Sequence, residues 1–189
     1  DICGQSGSAA AIKQTSIAYS LGMIAICASL YQRTKEISEF NPDYHKFHIN
    51  RLARIQAVPK RLIFDEYHET KGSARVRNQT MRYMRTGRKY NIMNILASQS
   101  ITDYDDDMQT FSSGTWILGA DDAKERKIIT EKLALSSAAQ YCLHHNLNGP
   151  SPDGSGSPFL VVLKVRDGHP HEHFLKNTAG PVVAWSFST

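Results

Sequence analysis

The spacing of apolar residues changes period several times along the chain, and each change marks an element. Residues 9–37 carry Ile17, Leu21, Ile24, Ala28 and Tyr31 at helical spacing, which predicts one long helix. From Ser16 to Tyr31 the segment is apolar apart from three serines. These 16 residues fall short of the roughly 20 needed to span a bilayer, so the expectation is a helix buried on nearly every side. Asn41-Pro42-Asp43 breaks the pattern. A shorter basic helix over Tyr44–Gln56 follows, with Lys46, Arg51 and Arg54 on its wet side, and Val58-Pro59 stops it.

The period then switches. Leu62-Ile63-Phe64 is a short, wholly apolar run ending in Asp65-Glu66, as expected of a strand covered on both faces in a parallel sheet. Residues 73–89 have helical character with an exit at Gly87, and Ile92–Ala97 forms a second buried strand ending in Ser98-Gln99. Strand, helix and strand in this order predict a βαβ unit with a right-handed crossover. A third repeat is expected from the short acidic helix opened by Thr102-Asp103 and the strand Thr115–Leu118, with Trp116 in the core. Asp121-Asp122 and Ser136-Ser137 cap helices reaching Leu133 and His145. Residues 148–158 have the composition of a loop. Phe159–Val165, His171–Leu175 and Val182–Phe187, with Trp185 in the last, read as a small antiparallel appendage.

The domain plan is therefore a helical segment over 1–60, an α/β core over 61–147, a loop over 148–158 and a β appendage over 159–189 of the same domain. At 189 residues, 41% hydrophobic and 21% charged, the chain has the composition of a globular domain, not a fibrous or disordered one. A formal charge of +4 permits an anionic partner without demanding one. Cys3, Cys27 and Cys142 are widely spaced and odd in number, which points to free thiols, not a disulfide framework or a cysteine zinc site. The chain opens at Asp1, without Met and in mid-pattern, which suggests a piece of a longer polypeptide.

The chemistry concentrates at two strand ends. In a nucleotide-hydrolysing sheet, an Asp at the C-terminal end of a buried strand holds Mg2+, and a Glu beside it polarises the attacking water. Asp65 and Glu66 have that placement, although solvated acids capping a strand would read the same way. If the two strands are near neighbours, Gln99 arrives beside them with an amide able to meet both a γ-phosphate and the attacking water. Between the strands, Arg75, Arg82, Arg85 and Lys89 share one helical face, with Arg77 and Arg88 alongside. Arg75, Arg77 and Arg82 read as a solvated face. Arg85, Arg88 and Lys89, at the helix exit, are candidates to reach phosphate oxygens within the subunit or across an interface.

The blocks RLIFDEYHE (61–69) and MRTGRKYNIMNILASQS (84–100) resemble the Walker B and downstream Arg/Gln motifs of the type IV secretion and conjugation ATPases, in detail nearer the Dot/Icm branch than the plasmid-pilus branch. Residues 114–119 extend the match as a next core strand, and AWSFST (184–189) is similar to a W-x-x-S-T segment near the end of such proteins. The resemblance implies a RecA-like, mostly parallel P-loop NTPase sheet with helices on both faces and ATP and Mg2+ as cofactors. It gives Asp65 the metal, Glu66 the base and Gln99 the phosphate-sensing amide, with Arg85, Arg88 and Lys89 as phosphate or trans-finger candidates. It further implies a hexameric ring at the cytoplasmic face of the bacterial inner membrane, working with other secretion subunits on a protein or nucleoprotein substrate.

One departure is large. The family's phosphate-binding loop, GxxxxGK[ST], does not occur in these 189 residues, and Gly4-Gln5-Ser6-Gly7-Ser8 lacks the following Lys-Ser or Lys-Thr. The phosphate-loop strand of such folds is expected between the strands ending at Glu66 and Gln99. The chain is therefore either part of a longer ATPase, inactive by itself, or a relative that has lost hydrolysis. A DNA-pumping ring ATPase of the coupling-protein or HerA/FtsK type is the rival enzyme, and a non-hydrolysing scaffold module the rival of another class. His169, His171 and His173 could share a zinc ion but fit an exposed hairpin better; Asp103, Asp105, Asp106 and Asp107 fit the first turn of a helix. His68, just past Glu66, could touch the active-site crevice, with a structural role the favoured reading.

Overall fold

Burial alternates along two short parallel strands, and the first half of the molecule is built on that alternation. The structure, a computed structural model, describes residues 9–120, 122–151, 156–165 and 168–178. The expected strand at 182–187 with Trp185, the WSFST match and the Gly4–Ser8 loop lie outside the described residues. The chain divides into two units, Asp1–Phe111 and Ser112–Thr189.

In the first unit, α1 (Ala9–Leu30) and α2 (His45–Ala57) precede β1 (Lys60–Phe64), α3 (Ala74–Thr86), β2 (Ile92–Leu96) and α4 (Asp106–Phe111). The expected long helix ends at Leu30; Arg33 turns extended, and a 3₁₀ segment, Thr34–Glu39, replaces its last turns. Glu36 holds that break by accepting from the Arg33 backbone N–H at 3.2 Å and from its guanidinium at 2.5 Å. At the far end of α2, Lys60 Nζ donates to the carbonyls of Ile55 and Val58, satisfying groups the helix leaves unpaired.

Strands β1 and β2 are parallel and directly hydrogen-bonded, in register from Lys60↔Ile92 to Phe64↔Leu96. This corrects the expectation of a strand between them. Leu62, Phe64 and Ile92 face a core shared with Met23 and Cys27 of α1, Val76 of α3, and Met108 of α4. The other face is open: Ile63 is 61% exposed and Met93 56%. The apolar run was read as a strand covered on both faces; among the described residues, helices cover one. Helix α1 is correspondingly buried along one side only, through Met23 and Cys27. No helix among the described residues is long and apolar enough to cross a membrane.

Aromatic packing locks α1 to the βαβ unit. Tyr31 stacks on Tyr83 at 4.3 Å between centroids and meets Tyr90 edge-on at 5.2 Å. Its hydroxyl donates to Asn94 Oδ1 at 3.3 Å, and burial, outweighing that bond, pushes its pKa up to about 12.

In the second unit, β3 (Gly114–Ile117), β4 (Ser157–Lys164) and β5 (Pro170–Asn177) form an antiparallel sheet in the order β3-β4-β5, with α5 (Ala123–Leu133) and α6 (Ser137–His145) between β3 and β4 in sequence. The expected third strand of a parallel sheet is thus corrected: β3 pairs with β4, from Gly114↔Leu163 to Ile117↔Leu160. Among the described residues the sheets are a parallel pair and an antiparallel trio, not one mostly parallel sheet with helices on both faces. The pleat also corrects the assignment of Trp116. Ile117 and Leu160 share the buried face, so Trp116, one position earlier, turns outward and is 58% exposed. Helices α5 and α6 start as expected, their Asp122 and Ser136 side chains accepting from the N–H groups of Glu125 and Ala139. His169, His171 and His173 are exposed, and no group of metal-ligating side chains occurs among the described residues.

Gly87 is required for space, not for backbone freedom. A Cβ there would stand 2.6 Å from Asn94 Nδ2 and 2.7 Å from the Ile92 carbonyl oxygen. Asn94 is itself tied to the Tyr83 carbonyl at 3.1 Å, so neither neighbour yields easily. Gly87→Ala is expected to lower unfolding free energy by about 1–3 kcal/mol, measured by urea titration with CD detection.

Candidate functional site

Because β1 and β2 run parallel and in register, both chains leave the sheet at the same end. The ladder continues past the strands: Ala97 N–H donates to Phe64 O at 2.9 Å and Tyr67 N–H to Ala97 O at 2.8 Å. Asp65-Glu66 and Ser98-Gln99 therefore emerge side by side, and Gln99 Nε2 donates to Glu66 Oε2 at 3.4 Å.

The bend that aims the acids is local and strained. Glu66 adopts φ 49°, ψ 47°, a left-handed conformation that costs a residue with a Cβ about 1–2 kcal/mol. Three bonds hold it there. Glu66 N–H donates to Asp65 Oδ1 at 3.0 Å, the Glu66 carbonyl accepts from Glu69 N–H at 3.0 Å, and Tyr67 N–H is fixed by Ala97. Tyr19 of α1 braces the same bend by donating its hydroxyl to the Asp65 carbonyl at 2.9 Å. Strain of this kind persists where the surroundings over-determine it. Both carboxylates stay exposed, and the second oxygen of Asp65 has no hydrogen-bond partner among the described residues.

His68 touches this site. Its Nδ1 lies 3.1 Å from Glu66 Oε2, off the hydrogen-bond direction, and its Nε2 3.3 Å from Glu69 Oε1. The imidazole stands between two carboxylates, in line with the reading that it touches the crevice.

Beneath the tip, a buried acid organises the β2 exit. Asp103 accepts from Ser98 Oγ at 2.5 Å and from Ser100 N–H at 3.1 Å, and pairs with Lys71 Nζ at 2.5 Å. Ser98 Oγ in turn accepts from His68 N–H at 3.1 Å. Burial by itself would raise the Asp103 pKa; the bonds from Lys71, Ser98 and Ser100 outweigh it and hold the carboxyl below its usual range. Asp103 stands in the first turn of a short 3₁₀ helix, Ile101–Asp103, as read, and it is in addition buried and bonded to both sides of the site. The sequence did carry a signal: Ser100 and Asp103 have the spacing of a capping box. Tyr19, far off in sequence and inside an apolar helix, offered none.

The basic candidates lie elsewhere. Arg88 and Lys89 precede β2 while Gln99 follows it, so roughly 15 Å of strand separates them from the acidic tip. Arg85 pairs with Asp107 Oδ2 at 3.2 Å and lies 4.8 Å over the Phe111 ring. None of the three is brought to Asp65 or Glu66 within one chain. Arg77, expected on a solvated face, is largely buried: it donates to the Asp103 carbonyl, pairs with Asp105 at 3.2 Å and covers the Tyr67 ring at 5.4 Å. Arg75 and Arg82 are exposed, as expected of a solvated face.

No protein-family model matches the chain, and no curated protein matches it. Among solved structures, the chain is similar to the genome-packaging NTPase B204 from Sulfolobus turreted icosahedral virus 2, determined in complex with ATP-gammaS. The identity is 13% and the TM-score 0.44, over 75% of this chain and 71% of that one. A likeness so slight carries no argument about chemistry.

Two measurements test this geometry. Glu66→Gly is expected to raise unfolding free energy by about 1 kcal/mol, because glycine adopts φ 49° without strain. Asp103→Asn is expected to cost about 1–3 kcal/mol at neutral pH. The folded-state pKa of Asp103 is depressed, so its contribution is complete above the unfolded value of about 3.9 and is lost as pH falls through the folded one. The stability gap between wild type and Asp103→Asn should close in that acid window, as read by denaturation at stepped pH.

Proposed function

We propose that the shared end of β1 and β2 is the metal- and water-facing half of a nucleoside-triphosphate hydrolysis site. The carrying observation is the direct parallel pairing that sets Glu66 against Gln99 while leaving Asp65 exposed. Mg2+ fits this donor set. It retains most of its waters and needs only one or two carboxylates plus substrate phosphates, and Asp65 offers one carboxylate oxygen with no partner among the described residues. When bound, Mg2+ would neutralise charge developing on the phosphate oxygens.

In this reading Asp65 orients the metal's water shell, and the Glu66 carboxylate accepts a proton from the attacking water. Gln99, already within reach of Glu66, positions that water and donates to the γ-phosphate. Catalytic hydrogen bonds are commonly long before substrate arrives, so 3.4 Å is compatible with the role. The cradle for the remaining phosphates is not among these residues, which contain no GxxxxGK[ST] loop, and is assigned to polypeptide outside them. Arg88 or Lys89 would act on a nucleotide only in a neighbouring copy, since its own tip lies at the opposite strand end. The finer reading is the C-terminal part of a ring-forming ATPase that powers type IV secretion or conjugative transfer at the cytoplasmic face of the inner membrane. It is supported by the blocks at 61–69 and 84–100.

The test is ATP hydrolysis by the protein produced from its own gene. Glu66→Gln is expected to lower kcat about 10²–10⁴-fold with nucleotide affinity retained, and Asp65→Asn to weaken the Mg2+ dependence. Hydrolysis unchanged in both variants, or absent from the wild type, overturns the proposal; absence with intact assembly would favour a scaffold.

A further inference from the structure

The imidazole of His68 is fixed by the fold, yet neither ring nitrogen serves it. Its backbone sits in the 3₁₀ turn Tyr67–Thr70, directly after the left-handed Glu66. There its N–H donates to Ser98 Oγ at 3.1 Å and its carbonyl accepts from Lys71 N–H at 3.0 Å. Ser98 and Lys71 are also the residues whose side chains grip Asp103, so the ring is carried on the buried joint of the site. Its side chain is 28% exposed, but Nδ1 is sealed from solvent and has no hydrogen bond among the described residues. A fold gains nothing from a nitrogen in that condition, because a buried polar atom left unpaired is destabilising. The distances show where it is aimed. Nδ1 lies 3.1 Å from Glu66 Oε2, and Nε2 3.3 Å from Glu69 Oε1. A half-turn of the ring would set carbon atoms against both carboxylates, so the two acids select this orientation. Glu66 Oε2 is also the oxygen that accepts from Gln99 at 3.4 Å. One carboxylate oxygen thus stands between two nitrogens, bonded to one and within reach of the other.

We propose that His68 is a positioning residue for Glu66, with Glu69 steadying the imidazole from its far side. The assignment rests on the hydrolysis reading, in which Gln99 donates to the γ-phosphate. An amide that turns to the phosphate releases Glu66 Oε2, and an exposed glutamate set free samples several rotamers. His68 Nδ1–H takes up the vacated oxygen. The distance is already that of a hydrogen bond, and only the angle has to close. The carboxylate then keeps one orientation while it receives the proton of the attacking water. Glu69 is suited to the outer place because it belongs to the same turn: its N–H bonds the Glu66 carbonyl at 3.0 Å. Tyr67, with no exposed surface, anchors that turn in the core between the two acids. Glu66, His68 and Glu69 therefore move as one piece, and the contact between imidazole and base survives the departure of Gln99.

The test uses the protein produced from its own gene and two substitutions that divide the ring. The amide of His68→Asn reaches the Nδ1 position, and that of His68→Gln the Nε2 position. His68→Gln is expected to lower kcat about 10²-fold with KM for ATP unchanged, the loss that a misplaced catalytic group brings. His68→Asn restores a donor beside Glu66 and should recover at least ~10-fold of that loss. In a Glu66→Gln background, His68→Gln should cost no more than about 3-fold, because residues acting as one unit are not additive. A second readout needs no nucleotide. In NMR spectra of the protein isotope-labelled at its histidine nitrogens, Glu66→Gln should move the His68 Nδ1 resonance and Glu69→Gln the Nε2 resonance. Hydrolysis that Glu66→Gln abolishes but His68→Gln leaves intact overturns the assignment and spares the hydrolysis reading. Equal losses in the Asn and Gln variants mark a merely structural residue and overturn it too, as does an Nδ1 resonance indifferent to Glu66→Gln. A wild type without hydrolysis overturns the reading and the assignment together.

Discussion

Everything specific at the candidate site descends from one constraint, the parallel hydrogen-bonded register of β1 on β2. Parallel pairing makes two strands end on the same side, and the pairs Ala97–Phe64 and Tyr67–Ala97 carry the ladder past the last strand residues. Without that extension, Asp65-Glu66 and Ser98-Gln99 would be two unrelated loop ends. With it, an acid and an amide more than 30 positions apart in sequence come within 3.4 Å.

The site is rigid beneath and open above. Asp103 is the buried joint: its carboxylate gathers Ser98, Ser100 and Lys71, and Ser98 passes the connection on to the backbone of His68. Arg77 closes the same joint from α3 through the Asp103 carbonyl and Asp105. Tyr104, whose hydroxyl donates to the Leu96 carbonyl at 3.1 Å, seals the β2 end; burial, then the Asp103 charge and Tyr67, push its pKa up to about 12. Above this layer Asp65, Glu66 and Gln99 stay exposed. Buried groups that cannot move, under exposed groups that can meet a ligand, are the arrangement a binding site needs.

The open face of the two-stranded sheet and the outer stripe of α1 share a physical cause. Ile63 and Met93 on one, and Leu21 and Ile24 on the other, are apolar groups that the described residues leave in contact with water. An isolated pair of strands is marginal, and a parallel pair ordinarily has both faces covered. The helices of this unit lie against the Leu62–Phe64 side, so apolar surface remains that a larger assembly or a partner would bury.

Local sequence determined the elements and several of their ends. The Asn41-Pro42 break and the Asp122 and Ser136 caps are near-neighbour effects, each governed by a few adjacent residues. That Asp65-Glu66 and Gln99 leave the sheet at one end was legible from the strand–helix–strand order, whereas their direct adjacency was not, because a phosphate-loop strand was expected between the two strands. What only tertiary structure decided depended on which surfaces met. Strand β3 joined β4, not β2; Trp116 turned outward by one step of the pleat; Arg77 folded over Tyr67 and the Asp103 carbonyl while Arg75 stayed in solvent. Nor could spacing tell that Arg88 and Lys89, close to Gln99 in sequence, are separated from it by the length of a strand. An extended chain carries neighbours in sequence apart just as surely as a register brings distant residues together.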